Sequence, residues 1–269
     1  MKKLLLILFC LPLLLFCSDG MKEKLSDGDT DIFLYETYEF RELFEALDSV
    51  NTYLKSITVL DEKSHTNEKA EESTLLNDIL ENQDLSEDLL FEEFANENPL
   101  YALLYPNVNQ QSGQLNTGPI VGFCAIKDTK KLNTYLNDEA IKQFFPIDIK
   151  FTYTAKAFDA DEKILPLLAL RLNKEIQGYD IADARLEFCQ HTNYPEISIS
   201  LSKDGTKKWE KLTAKNIGRS IAIVVDGFVY SHPTVMSEIS GGRFSITGNF
   251  TVNELKELVK KIHNRKIYF

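Results

Sequence analysis

The sequence predicts an α+β fold, a mainly antiparallel sheet with helices packed on one face. Three observations carry this. Ile197, Ile199 and Leu201 alternate with Ser198, Ser200 and Ser202, as in a strand with one buried and one wet face. Asp226-Gly227 sits between two apolar runs, Ser220 to Val225 and Phe228 to Ser231, which is the signature of a tight hairpin. The stretch 252–262 places Val252, Leu255, Leu258, Val259 and Ile262 on one helical stripe behind a Thr251/Glu254 capping box.

From the N-terminus, Met1-Lys2-Lys3 and the uncharged apolar run Leu4 to Phe16 read as a secretion signal, too short for an ordinary membrane-spanning helix. Polarity switches abruptly after Cys17, the pattern of a bacterial lipoprotein, so residues 1–17 are expected to be a signal with Cys17 the lipid attachment site. Phe16 stands where such signals usually carry a small residue. Residues 18–30 are expected to form a tether. The expected location is the bacterial cell envelope, anchored by lipid on the periplasmic side or at the cell surface.

Ile32 to Tyr35 reads as a strand, and Phe40, Leu43, Phe44 and Leu47 as the buried face of a helix within 31–60. Residues 61–97 hold 13 Asp or Glu against 2 Lys, which by itself accounts for the formal net charge of −11. That segment lacks Gly and Pro and reads as an acidic, partly disordered insertion with short helices. The rest is near neutral, so no basic face for nucleic acid is expected.

Beyond it, Ile120 to Ile126 reads as a buried strand, Asp128 to Phe145 as a helix, and Ile149 to Thr154 and Leu167 to Leu172 as strands, with Arg171 a solvated charge. Asp204-Gly205 leads into a helix reaching about Asn216, with Trp209 and Leu212 inside and Gly218 just past its end. Phe244 to Phe250 gives a last strand before the final helix.

Little points to catalysis. None of the four histidines forms a spaced metal pair, Asp159, Asp161 and Glu162 lack the glycine and distal glutamate of a calcium loop, and no cofactor motif is present. Ser231-His232 near Asp226 superficially matches a hydrolase triad, but adjacent residues in a hairpin point in different directions. Cys124 and Cys189 are candidates for a disulfide in an exported protein, and their apolar, strand-like surroundings equally suit buried thiols.

Asp183-Ala184-Arg185 with Phe188, Pro195-Glu196, Gly205, Lys208, Asn216-Ile217-Gly218-Arg219, Asp226, Gly227, Ser231, Pro233, Gly242, Gly248 and Phe250 occur in the order found in one family. Upstream, Glu36-Thr37-Tyr38-Glu39, Asn98-Pro99-Leu100 and Gly118-Pro119-Ile120-Val121-Gly122 fit as well. The sequence resembles, over roughly 32–264, the first periplasmic domain of the protein-translocase subunit SecD and of fused SecDF. The resemblance implies a base region at 98–180 and a ferredoxin-like head region at 181–265. It implies binding of secreted chains or translocase subunits in place of enzymatic work, while most of the matching residues suit turns and close approach. The family's flanking transmembrane helices, which hold its proton-coupled residues, are not in this sequence, so an accessory without its own motor is expected. The resemblance also implies an extended segment after the final helix, and without it a sheet edge is expected to be either covered by the N-terminal region or offered to a partner. The competing expectation is an envelope interaction or structural lipoprotein unrelated to translocation.

Overall fold

A computed structural model describes residues 32–65, 91–159, 161, 163–190 and 192–264. Cys17, the signal and the tether lie outside the described residues, as does most of the acidic segment. Among the described residues, ten strands form two antiparallel sheets. The larger contains β1 (Ile32–Thr37), β2 (Tyr105–Pro106), β3 (Ile120–Ala125), β4 (Ile149–Tyr153), β5 (Ile164–Gln177), β8 (Ile221–Val225) and β9 (Phe228–Ser231). The smaller contains β6 (Ile181–Phe188), β7 (Pro195–Leu201) and β10 (Arg243–Ile246), in the order β10-β7-β6.

The larger sheet curls on itself. β5 is long enough to pair with β3 through its first half, with β1 through its second half, and with β4 along its other side. β1 in turn pairs with β8, and β8 with β9. The outer edge of β9 is met by the end of β4 and the residues just after it: Ala155 N donates to Val229 O at 2.8 Å, and Thr152 Oγ1 to Gly227 O at 2.8 Å. The outer edge of β9 is thus taken up within the chain. The N-terminal strand lies in the middle of the sheet, between β5 and β8.

Alternation along these strands divides the core into three. Tyr35, Leu168, Leu170, Ala222, Val224 and Val229 fill the inside of the curl. A second cluster lies against α1 (Phe40–His65), α2 (Thr129–Asn137) and α3 (Glu139–Lys142), where Phe40, Leu43, Leu47, Val50 and Leu54 form the buried stripe of α1. The third joins the two sheets through α4 (Lys203–Lys215) and α5 (Val252–Asn264): Leu34, Ile223, Ile199, Trp209, Leu212, Leu255 and Leu258 meet there. Among the described residues no helix is long and apolar enough to cross a membrane.

Local chemistry explains where elements differ from expectation. α1 runs on to His65, past the expected start of the acidic insertion, and residues 91–97 are helical too. The helix expected over 128–145 breaks at Asp138, whose backbone is extended (ψ 131°) and whose carboxylate accepts the Ala140 N–H at 2.8 Å, capping a new short helix. Gly205 lies inside the first turn of α4, which Ser202 caps through a 3.1 Å bond from Gly205 N. The capping box of α5 forms as read, Thr251 N donating to Glu254 Oε2 at 2.8 Å. Asp226 and Gly227 take φ of 52° and 82°, the left-handed pair a two-residue hairpin requires.

Candidate interaction surface

No bridge joins Cys124 to Cys189. Cys124 is buried in β3 of the larger sheet, where burial pushes its thiol up to about 12, whereas Cys189 follows the end of β6 in the smaller one. A thiol held that far from ionisation is inert. Asp226 sits in the β8–β9 turn and Ser231 at the far end of β9, so the Asp-Ser-His grouping is not assembled. Asp159 accepts the N–H groups of Lys163 and Ile164 at 2.9 and 2.7 Å, which makes it a turn residue.

The motif residues divide into those that shape the backbone and those left facing water. A Cβ on Gly205 would lie 2.6 Å from the Asp180 carbonyl oxygen, so only glycine lets α4 start against the turn that precedes β6. Lys208, one turn on, donates to both carboxylate oxygens of the buried Asp180 at 2.9 Å, and that hydrogen bond raises its own pKa. Gly242 has φ 59° and no room for a Cβ beside Thr206, while a Cβ on Gly248 would meet the ring of Phe250. Phe250 stacks on Tyr230 at 5.6 Å. Buried Asn216 closes α4 with a 2.8 Å bond from Nδ2 to Leu212 O. Gly218, φ 81°, gives its N–H to Val235 O at 2.8 Å instead of back into the helix, and Pro233 O accepts Ile221 N at 3.1 Å. Ser231 pairs with Ile223 across the hairpin.

These last bonds lay the segment 232–240 over the end of α4. Val235 is buried by the pairing, and Ile239 N is held 3.0 Å from Thr213 Oγ1. Ile217, Met236 and Ile239 are left pointing outward in one small region, at 56%, 82% and 37% exposure. At another corner Phe188 and Tyr194 stand exposed at the β6–β7 turn, beside Arg185, which pairs with Asp183 at 2.5 Å. Exposed apolar side chains grouped this way mark a binding surface more often than a catalytic one.

The N-terminal segment fixes this region to the rest of the sheet by charge. Buried Glu36 accepts from Lys215 Nζ at 2.6 Å, at the end of α4. Glu39 accepts Gly118 N at 2.9 Å. Glu42 accepts from Arg219 NH2 at 2.8 Å and lies 3.8 Å from Arg171. Partial burial would raise the Glu42 pKa, but the Arg219 hydrogen bond, the Glu39 N–H and the two guanidinium charges hold it below its ordinary value. Arg171, expected to be solvated, instead lies with its guanidinium 3.8 Å from the Tyr38 ring centroid and faces Asp148 as well as Glu42. Tyr38 donates to Asp148, and burial with that bond pushes its hydroxyl up to about 12. Sequence reasoning missed this cluster because its members come from four separate segments. The glutamates at 36, 39 and 42 were the only signal.

Comparison with known proteins agrees with the resemblance. Residues 153–264 match the family model "SecDF, P1 head subdomain", a span that begins at the end of β4 and takes in β5. The protein translocase subunit SecD of Rhodothermus marinus is 36% identical over 165 residues, covering 60% of this chain and 25% of its own length. The SecDF of Thermus thermophilus is 41% identical over 83 residues, 31% of this chain and 11% of that protein. The chain thus spans about a quarter or less of these relatives. A solved structure of SecDF, described as a membrane component that enhances protein export, aligns over 86% of this chain and 92% of its own, at 19% identity and a TM-score of 0.34. Taken together with the residue pattern, the family match shows that residues 153–264 of this chain carry a SecD-type head domain.

Proposed function

We propose that this protein is a cell-envelope accessory of Sec-dependent protein translocation that works by binding and release, not by chemistry. The observation that carries the reading is the SecDF head match over 153–264, within which Ile217, Met236 and Ile239 form an exposed apolar group on a rigid support. Unfolded secreted chains offer apolar side chains that such a group can cover, and a translocase subunit is the other natural partner. Attachment to the membrane is through lipid on Cys17, and several acyl chains on one cysteine make such an anchor persistent.

Two measurements test this. Binding of the full chain to an unfolded secretory precursor should weaken on the order of tenfold in the Ile217→Asp/Met236→Asp double variant. Equal binding by both proteins would sink the assignment of the surface. Fractionation of cells should find the wild type with membranes and Cys17→Ser in the soluble envelope fraction. Retention of Cys17→Ser with membranes would reject the lipid anchor.

A further inference from the structure

At one mouth of the curled sheet, two ammonium groups stand together over aromatic rings. Lys150, half-buried on β4, is the cross-strand partner of Leu170 and so faces the inside of the curl. Its Nζ lies 5.6 Å from the ring centroid of the buried Tyr35. Lys174, opposite Tyr35 in the β1–β5 register, holds its Nζ 4.1 Å from the Phe33 ring. The two rings meet edge to face at 5.9 Å.

Among the described residues neither lysine forms an ion pair. Asp148, two residues before Lys150, is engaged by Tyr38 and Arg171. Burial lowers the Lys150 pKa, and the Lys174 charge lowers it further, with no carboxylate acting against them. The ring faces compensate a cation only in part, so two neighbouring like charges, Lys150 partly dry and Lys174 exposed, favour any anion that reaches them. Ile147 and Leu172 are exposed on the same rim, where Leu172 N donates to Asp148 O at 2.7 Å.

We infer that Lys150 and Lys174, set over the rings of Tyr35 and Phe33, form a binding site for a phosphate group, with Ile147 and Leu172 as its apolar rim. Lysine is a point-charge binder of phosphate, and two of them match a dianion or a bridging phosphodiester. Free phosphate and the headgroup of an anionic lipid share this chemistry.

The test uses the full chain with two probes at low ionic strength: inorganic phosphate by calorimetry, and flotation with phosphatidylglycerol against phosphatidylcholine vesicles. Binding of at least one anionic probe is expected, weakening with salt and falling on the order of tenfold in Lys150→Gln/Lys174→Gln. Phosphate binding alone assigns the site to a soluble anion, and preference for phosphatidylglycerol alone assigns it to a lipid headgroup. No binding of either probe, or binding that the double variant retains in full, overturns the inference. Should that variant fail to fold, the ammonium resonance of Lys150 in the wild type decides: it must move as phosphate or phosphatidylglycerol is added, and an unmoved signal refutes the site.

Discussion

Along β1 and the start of α1, three carboxylates spaced three residues apart, Glu36, Glu39 and Glu42, reach the end of α4, Gly118 and Arg171, whereas around the smaller sheet the joins are made mainly by glycines and apolar side chains, with one buried ion pair, Lys208–Asp180. The first kind of join depends on charge and is sensitive to pH and salt. The second depends on the absence of a Cβ, and no solvent condition relieves a steric clash. The motif residues and the charge cluster therefore do different work. Gly205 and Gly242 decide whether the small sheet and its helices can pack at all, while the glutamates decide how firmly that unit is held to the curled sheet.

Substitutions can break each join separately. The largest effect is expected at Gly205→Val, which drives a branched side chain into the Asp180 carbonyl and should cost about 3 kcal/mol or more in chemical denaturation. The single tryptophan, Trp209, lies in the affected core and gives a fluorescence readout of it. Next comes Lys215→Met, which strands the buried Glu36 carboxylate; about 2 kcal/mol is expected, discounted for the exposure of the lysine. A melting temperature equal to wild type at pH 7 would show that Glu36 finds water instead. The smallest is Glu42→Gln, expected to cost about 1 kcal/mol at neutral pH because the pair is partly solvated.

Glu42 also gives the comparison a pH axis. Its folded pKa lies below the ordinary 4.5, so its contribution is complete above that value and is lost as pH falls through the lowered folded pKa. The stability gap between wild type and Glu42→Gln should therefore close on acidification below about pH 4, and added salt should narrow it at pH 7. Gly205→Val should show neither dependence. A gap for Glu42→Gln that stays constant down to the acid limit would mean that packing, and not charge, holds the two parts together.

What the sequence revealed was local. The serine-alternating β7, the Asp226-Gly227 turn and the Thr251/Glu254 box each depend on residues a few positions apart, and each formed as read. Arg171 was misread because Tyr38, Glu42 and Asp148 are brought to it by strand pairing over long separations. The same limit hid β1's place in the middle of the sheet, the sealing of the β9 edge by Thr154 and Ala155, and the meeting of Lys150 with Lys174. Nothing in the sequence joins Ile217, Met236 and Ile239; only the folding of 232–240 over α4 makes them a surface.

That surface is where the functional reading is most exposed to contradiction. A photo-cross-linking residue placed at Met236 of the full chain, in living cells with an arrested secretory precursor, tests it directly. The account predicts adducts with the precursor or with a translocase subunit, abolished by Ile217→Asp. Capture of other envelope proteins alone, with no precursor or translocase component, would contradict a role in translocation and leave an envelope interaction protein built on a SecD-type head.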